Sequence, residues 1–227
     1  VYNSQSGYNG SASLEIFVDD GSLTDLHTVA ITVTPGQSNF VWTGGGVTND
    51  WSEAANWNLN LVPDAYDIVS FDTTSSKDAT IDSAFAGTVT QVFIEASYNG
   101  TVTQARDFAA SEWFNLEGNF ATAGYQFDTD YFYQGSGLLT IDNSAFYVSG
   151  DFDRWGGSIS ATGTTIALDG TGNHSYLSHD AIGSLVVFTA GTLTLNSNLQ
   201  VNEHLTFQGV GLDTNGHAVA LTGTGYQ

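Results

Sequence analysis

The sequence lacks cysteine and methionine, and its 227 residues include two prolines and three lysines or arginines against 24 aspartates and glutamates. Without cysteine, the chain can form no disulfide, no thiolate metal site and no thiol nucleophile. The net charge of −21 excludes nucleic acid as a partner, because binding to phosphates requires several lysines or arginines. Anionic membrane surfaces are excluded for the same reason, and no apolar run is long enough for membrane insertion.

Short β-branched and aromatic runs, separated by glycine, asparagine and aspartate, recur along the chain. Examples are Val89–Ile94, Leu138–Ile141, Leu185–Phe188 and Thr192–Leu195. No stretch has the i, i+3, i+4 apolar spacing of an amphipathic helix. The pattern therefore predicts an all-β protein with almost no helix.

Residues 1–35 contain two alternating runs, Ser13–Val18 and Thr28–Thr34, joined by the turn-rich segment Asp19–Asp25. Alternation with period two predicts two half-buried strands that form a β-hairpin. We interpret the acidic residues of the connection as solvated rather than as a metal site. An isolated hairpin is marginally stable in water, so these strands are expected to need a partner.

The phrases Tyr8–Gly10, Phe17–Asp25 and Val29–Pro35 resemble the C-terminal end of a bacterial cadherin-like repeat, as found in tandem arrays of giant adhesins. The resemblance implies that residues 1–35 are the last strands of a cadherin-like β-sandwich. Gly36–Ser38 stands where such repeats carry an Asn-Asp pair, so no calcium linker is expected here.

Three of the five tryptophans, Trp42, Trp51 and Trp57, fall in residues 36–79, which we predict to be a cap or entry segment. A sugar-binding aromatic face is one interpretation of this cluster. We favour a cap in which large rings close a repetitive core and the indole N–H groups find partners.

Glycines recur at intervals of about one turn through residues 80–227, and we predict that this region forms solenoid coils. The recurring positions are Gly100, Gly118, Gly137, Gly150, Gly170, Gly191, Gly209 and Gly223. At about 18 residues per turn this length allows roughly eight coils. Alternation predicts that several apolar side chains point inward, and these are Leu193, Leu195, Leu199, Val201, Leu205, Phe207, Val219 and Leu221. Asparagines at corners, namely Asn196, Asn198, Asn202 and Asn215, should accept left-handed backbone or bond to the next coil.

The phrases Leu168–Asn173, Ile182–Leu185 and Leu212–His217 resemble those of bacterial large repetitive surface proteins with an autotransporter-like β-helix. The tryptophan-rich segment is similar to the entry segment of the same proteins, so the resemblance covers residues 40–227. It implies a parallel, right-handed β-helix with an N-terminal cap.

Two Asp-x-Asp runs are the best candidates for a metal site, Asp128 with Asp130 and Asp151 with Asp153. Residues two apart share a face of a strand, so each run presents two carboxylates together. Stacking of the runs in adjacent coils would favour Ca²⁺, which binds six to eight oxygens in flexible geometry. We favour the alternative that both runs are solvated, and we expect no other cofactor.

A further candidate is a sugar-binding strip formed by Trp113 and Trp155 with Tyr125, Tyr131 and Tyr133. Such rings stack readily on apolar surfaces. The alternative is that a wide solenoid core buries some of them, and we favour burial.

Catalytic constellations are missing from the sequence. There is no Gly-x-Ser-x-Gly elbow, and the five histidines are scattered and interpreted as surface or turn residues. We therefore expect no enzymatic activity, but a non-catalytic structural or adhesive segment of a large secreted protein at the bacterial cell surface. The expected partners are the chain itself, neighbouring repeats or surface glycans. The alternative is a carbohydrate-active β-helix module that binds or hydrolyses glycans.

Overall fold

The computed structural model describes residues 10–33 and 36–223, and it divides the chain into two compact units, 1–37 and 38–227. The described residues are almost entirely strands and turns, with one short 3-10 helix at Ala54–Asn56. The prediction of an all-β protein is therefore confirmed.

The first unit contains the predicted hairpin. Its strands β1 (Gly10–Asp19) and β2 (Thr24–Val33) pair antiparallel over their full length. The turn is held by its own acidic residues, because Asp19 Oδ1 accepts a hydrogen bond from Gly21 N at 2.7 Å and Asp20 Oδ1 accepts one from Leu23 N at 2.8 Å. The hydrogen bonds that Leu23 N and Ser22 N donate to Asp20 lower the pKa of its carboxyl group. The acidic connection thus stabilises the turn.

The second unit is a β-solenoid built from parallel strands. Two of its faces belong to one 13-stranded sheet, which consists of β3 (Asn39–Val41), β4 (Ile68–Phe71), β6 (Thr88–Ile94), β8 (Phe108–Leu116), β10 (Phe127–Gln134), β12 (Ala145–Val148), β13 (Phe152–Arg154), β15 (Thr165–Leu168), β16 (His174–Leu177), β17 (Ser184–Val187), β18 (Thr192–Leu195), β20 (Leu205–Phe207) and β21 (Gly211–Asp213). The third face consists of β5 (Ala79–Ile81), β7 (Thr101–Gln104), β9 (Asn119–Ala121), β11 (Leu138–Thr140) and β14 (Ser158–Ser160), with the pair β19 (Leu199–Val201) and β22 (Val219–Leu221).

Each turn of the solenoid stacks on the previous one in parallel register. Phe108, Phe127, Phe146 and Ile166 lie opposite one another in successive strands, 19 or 20 residues apart. The unit contains about eight turns, and stacking already begins with β3 on β4, within the tryptophan-rich segment. The solenoid prediction is confirmed, and its right-handed sense stays a prediction.

The core is filled by inward side chains that form columns along the solenoid. Phe114, Phe132, Phe152 and Tyr176 stack in sequence, with ring centroids 5.9, 5.2 and 5.6 Å apart. Such offset stacks add to the stabilisation that burial provides. Because every strand lies on an equivalent strand, similar side chains meet in the core turn after turn.

Most of the predicted inward positions near the C-terminus are correct. Leu193, Leu195, Leu199 and Val201 are fully buried, and Leu205, Phe207 and Leu221 pack against the core while partly exposed. Val219 is exposed, which contradicts the prediction. The physical reason is that no described strand stacks on β22 to cover it.

The three tryptophans of the entry segment are buried among one another. Trp57 meets Trp42 and Trp51 edge to face, with ring centroids 5.1 and 5.3 Å apart. Trp57 Nε1 donates to Trp51 O at 2.8 Å, and Trp42 Nε1 donates to Lys77 O at 2.9 Å. Burial of all three rings excludes a sugar-binding surface formed by them. Contrary to the expectation for a cap, the buried Trp51 Nε1 has no hydrogen-bond partner.

Glycine and asparagine occupy corners where coils approach closely. Gly137 has a φ of 70°, and a Cβ there would lie 1.7 Å from Gly118 O in the preceding coil, so only glycine fits. Of the four predicted corner asparagines, Asn215 alone has a left-handed backbone, with a φ of 47°. Asn198 and Asn202 instead accept hydrogen bonds from the following coil.

Candidate binding face

Several large aromatic side chains lie on the outer surface of the solenoid. Trp113, Tyr131, Tyr125 and Trp155 are exposed, to between 38% and 62% of their surface, and Tyr133 is half-buried. The expectation that the core buries these rings was wrong for the four exposed ones. In β8 and β10 the alternation sends the intervening phenylalanines inward, so their neighbours point outward.

Trp113 and Tyr131 form a stacked pair across β8 and β10. They lie opposite each other in register, with ring centroids 5.7 Å apart and planes inclined by 29°. In β6 the same position is held by Gln91, whose Nε2 donates to Glu112 Oε2 at 2.9 Å. The stacked pair is thus bordered by an amide and a carboxylate.

A shallow groove lies two residues further along β6 and β8 and extends to Ser70 of β4. It has a volume of about 430 Å³ and is lined by Phe93, Asn115, Glu95, Glu117, Ser70 and Ser97, among others. Phe93, Asn115 and Tyr133 occupy equivalent positions in β6, β8 and β10. The stacked pair and the groove therefore belong to one surface, which we call the aromatic face and define by Phe93, Trp113, Asn115, Tyr131 and Tyr133.

The groove contains two carboxyl groups and an amide oxygen that has no hydrogen-bond partner. Asn115 Oδ1 is buried and has no hydrogen-bond partner, and the carboxyl groups of Glu95 and Glu117 line the same groove. Gly135 follows β10 directly. A Cβ at this position would lie 3.1 Å from the Tyr133 hydroxyl and 3.4 Å from Glu117 Oε1, so any larger residue would crowd both groups.

The three cationic side chains of the chain are used elsewhere. Lys77 Nζ donates to three backbone carbonyls of the entry segment. Arg106 donates to Phe85 O, and the buried Arg154 pairs with Asp180. The aromatic face is therefore surrounded by acidic groups without a compensating cation.

The two Asp-x-Asp runs meet only at their ends, where Gly150 N donates to Asp130 O and Phe132 N donates to Asp151 O. Asp128 of β10 lies beside Tyr147, whereas Asp153 of β13 lies beside Tyr133, so the runs do not stack on each other. Asp130 Oδ1 accepts a hydrogen bond from Ser149 Oγ, and Asp151 Oδ1 accepts one from Ser175 N. Across residues 10–33 and 36–223, no three carboxylates or imidazoles are grouped to hold a metal ion.

A second surface cavity, of about 260 Å³, is lined by Asp128, Asp130 and Asp169 together with Tyr147 and Ser149. Burial raises the pKa of Asp128, and the charges of Asp169 and Asp107 add to this effect. The pKa of Asp153 is also raised by burial. Two or more carboxylates around one cavity are the minimum that glycoside hydrolysis requires.

One histidine departs from the expectation of a surface or turn position. His174, the first residue of β16, is buried, with Nδ1 2.5 Å from Gly150 O and with Nε2 unpartnered. This ring occupies the inward position equivalent to Leu193 in the next coil. We assign it to the core.

Sequence reasoning missed Gln91, Phe93, Asn115 and Glu117 as parts of a surface site. None of these residues stands out in the sequence alone. What marks them as a surface site is that the parallel register places them side by side on consecutive coils. Those positions follow from the parallel register, which the glycine intervals alone do not fix.

No known family model, curated protein or solved structure matches this chain. In the described parts of the chain, no helix has the length and apolar character needed to span a membrane.

Proposed function

We propose that this chain is a non-catalytic structural and adhesive segment of a large secreted protein at the bacterial cell surface. The solenoid serves as a stiff support, and the aromatic face binds the target. The cadherin-like and autotransporter-like phrases of the sequence support this context.

The observation that carries the proposal is the exposure of Trp113 and Tyr131 as a stacked pair on a broad sheet. Large apolar groups held outward on a rigid, acidic surface are typical of interaction sites. The inward side of the same strands is fully packed, with Phe114 and Phe132 completely buried. The exposed rings are therefore not needed to complete the core.

Adhesion can be tested with beads that carry the intact chain. We expect retention under flow on at least one of three immobilised polysaccharides, one neutral, one anionic and one cationic. The double variant Trp113→Ala with Tyr131→Ala should lose that retention. Tyr125→Ala, which removes an exposed ring outside the aromatic face, is the matched control. Equal retention of the double variant and the intact chain would contradict the proposal, as would no retention on any surface.

A second candidate function is glycan hydrolysis, favoured by the three aspartates around the 260 Å³ cavity. Hydrolysis would release reducing ends from a soluble polysaccharide and would be abolished by Asp128→Asn or Asp169→Asn. Release that both variants abolish would replace the non-catalytic proposal with this one.

A further inference from the structure

The groove of the aromatic face is lined by two carboxylates and, within the described residues, by no cationic side chain. Asn115 Oδ1 is buried without a partner, while Glu95 and Glu117 contribute carboxylates to the groove around it. An ammonium group suits such a site, because it carries three donors and no acceptor.

The exposed rings of the aromatic face also favour a positively charged ligand. Trp113 and Tyr131 present exposed π-systems, and a cation over such a ring is attracted by its quadrupole. The nearest carboxylate along β8 is Glu112, and the chain's three cations are engaged away from this surface. A net charge of −21 steers cations toward the face and repels anions.

A polypeptide ligand has little to gain from the backbone of this face. The strands β6, β8 and β10 lie inside the 13-stranded sheet, with a paired strand on each side. Their main-chain N–H and C=O groups are therefore already hydrogen-bonded to neighbouring strands, and a ligand cannot add as a further strand here. Recognition must use side chains alone, through ring surfaces and acceptors.

A bare divalent cation fits the face poorly as well. Calcium requires six to eight oxygens, and no such group is present in the described residues. The half-buried and exposed rings would also contribute nothing to its coordination. A ligand must match both the aromatic surface and the carboxylates.

We propose that the aromatic face binds a polymer of amino sugars with free ammonium groups. Pyranose rings present apolar C–H surfaces that pack against Trp113 and Tyr131, and their ammonium groups donate to the carboxylates of Glu95 and Glu117, which line the groove. Successive strands are spaced by about 4.8 Å, so the polymer runs along the solenoid, across β6, β8 and β10. This inference rests on the proposed adhesive function and specifies its ligand.

The test is calorimetric titration of the intact chain with glucosamine hexamers at a pH at which their amines are protonated. The matched probe is the fully N-acetylated hexamer, which has the same rings without the charge. We expect the charged hexamer to bind at least tenfold more tightly. Raising the salt concentration should weaken its binding, because surface charge interactions are screened.

Two variants separate the ring and carboxylate contributions. Trp113→Ala should weaken the binding of both hexamers about tenfold. Glu117→Gln, which preserves the shape of the side chain, should weaken the binding of the charged hexamer about tenfold and leave that of the N-acetylated hexamer unchanged. Controls are Tyr125→Ala and Glu15→Gln, which remove one ring and one charge outside the face. Unchanged melting temperatures would establish that the variants remain folded.

Three other outcomes would each contradict the proposal that the ligand is a polymer of amino sugars. Equal affinity for the two hexamers would remove the ammonium specificity and leave the adhesive function standing. Equally tight binding of hexalysine with the same dependence on Trp113 would identify a cationic polypeptide as the ligand. If none of the three probes binds while beads are retained on another polysaccharide, the ligand class is wrong and the proposed function is not.

Discussion

Arg154 Nη2 lies 3.0 Å from Asp180 Oδ2, with the arginine side chain 1% exposed and the aspartate side chain 50% exposed. Two further hydrogen bonds hold the guanidinium, from Nε to Gln134 Oε1 at 2.6 Å and from Nη1 to Ser178 Oγ at 2.8 Å. The ion pair therefore links the core of one coil to the surface of the next.

Arg154→Met should destabilise the solenoid strongly. The substitution keeps an apolar stem but leaves Gln134 and Ser178 without their donor in the core. Leaving a buried acceptor without its donor costs about 1–3 kcal/mol, and two acceptors lose their donor here. Asp213→Asn, which removes one charge at an exposed position of β21, is the control, and its effect should be below about 1 kcal/mol. Urea unfolding measures both, and equal effects would contradict the buried role of Arg154.

Leu195→Asp should unfold the C-terminal coils. Leu195 is fully buried beneath β21 and beside Tyr176, and an unpaired carboxylate there costs roughly 4 kcal/mol or more. Gln200→Asp, at an exposed position of β19 opposite Ala220, is the matched control and should cost little. The assignment of Leu195 to the core is wrong if both variants melt at the same temperature.

Local sequence patterns predicted the architecture, because a strand run such as Thr192–Leu195 has the same alternation in isolation as in the fold. The aromatic face could not be predicted in this way. Bulges between Val89 and Gln91 and between Thr129 and Tyr131 shift the alternation within β6 and β10. Whether a ring points into the core therefore depends on the position of the bulge. The bulge position is set by pairing with the neighbouring coils and cannot be read from one strand alone.

The sequence alone also could not predict which polar side chains lie in the core. Gln134 and Arg154 are fully buried at inward positions, where a sequence-based assignment expects apolar side chains. They are compatible with the core because adjacent coils bring their hydrogen-bonding groups together. That pairing is a property of the register between coils.

Asp128→Asn should raise the melting temperature at neutral pH. Burial raises the pKa of Asp128 above its ordinary value of 3.8, and the charges of Asp169 and Asp107 raise it further. The folded state then holds the proton to higher pH than the unfolded state, so stability falls as pH rises through this range. For a half-buried group the gain at pH 7 is on the order of 1–2 °C.

The gain should vanish near pH 3, where roughly the whole carboxyl population is protonated in both states. Asp213→Asn, at an exposed position of β21, is the matched control for loss of one negative charge. A gain for Asp128→Asn that is independent of pH would show that its ionisation is not the cause.

Calcium and magnesium should stabilise the chain equally at matched ionic strength. The two Asp-x-Asp runs do not stack residue on residue, and the described residues contain no group of three carboxylates or imidazoles. We therefore expect both ions to act by screening the net charge of −21. Thermal melts in each salt measure the shift. A larger shift with calcium, abolished by Asp128→Asn with Asp130→Asn, would instead indicate specific binding to the folded state.

Salt should promote self-association through the hairpin. Leu14 and Phe17 are 47% and 63% exposed, and neither strand contains lysine or proline to protect its edge. Salt screens the repulsion between acidic chains. Sizing chromatography should show larger species at high salt for the intact chain and monomers for a chain without residues 1–35.

Phe17→Glu, which keeps the hairpin and adds a charge to it, is the second variant and should also reduce association. Monomers of every form at both salt concentrations would rule out an assembly role for this segment.

The hydrogen bonds between successive coils, such as the ladder joining Phe127 to Phe146, run parallel to the length of the solenoid. A pull on its two ends therefore loads these bonds in tension, and the outermost coil opens while the others remain closed. Each opened coil of about 19 residues releases roughly 65 Å of chain, in place of a rise of about 4.8 Å. Under load, the solenoid would behave as a tether that lengthens in discrete steps and so limits the force transmitted to whatever it holds.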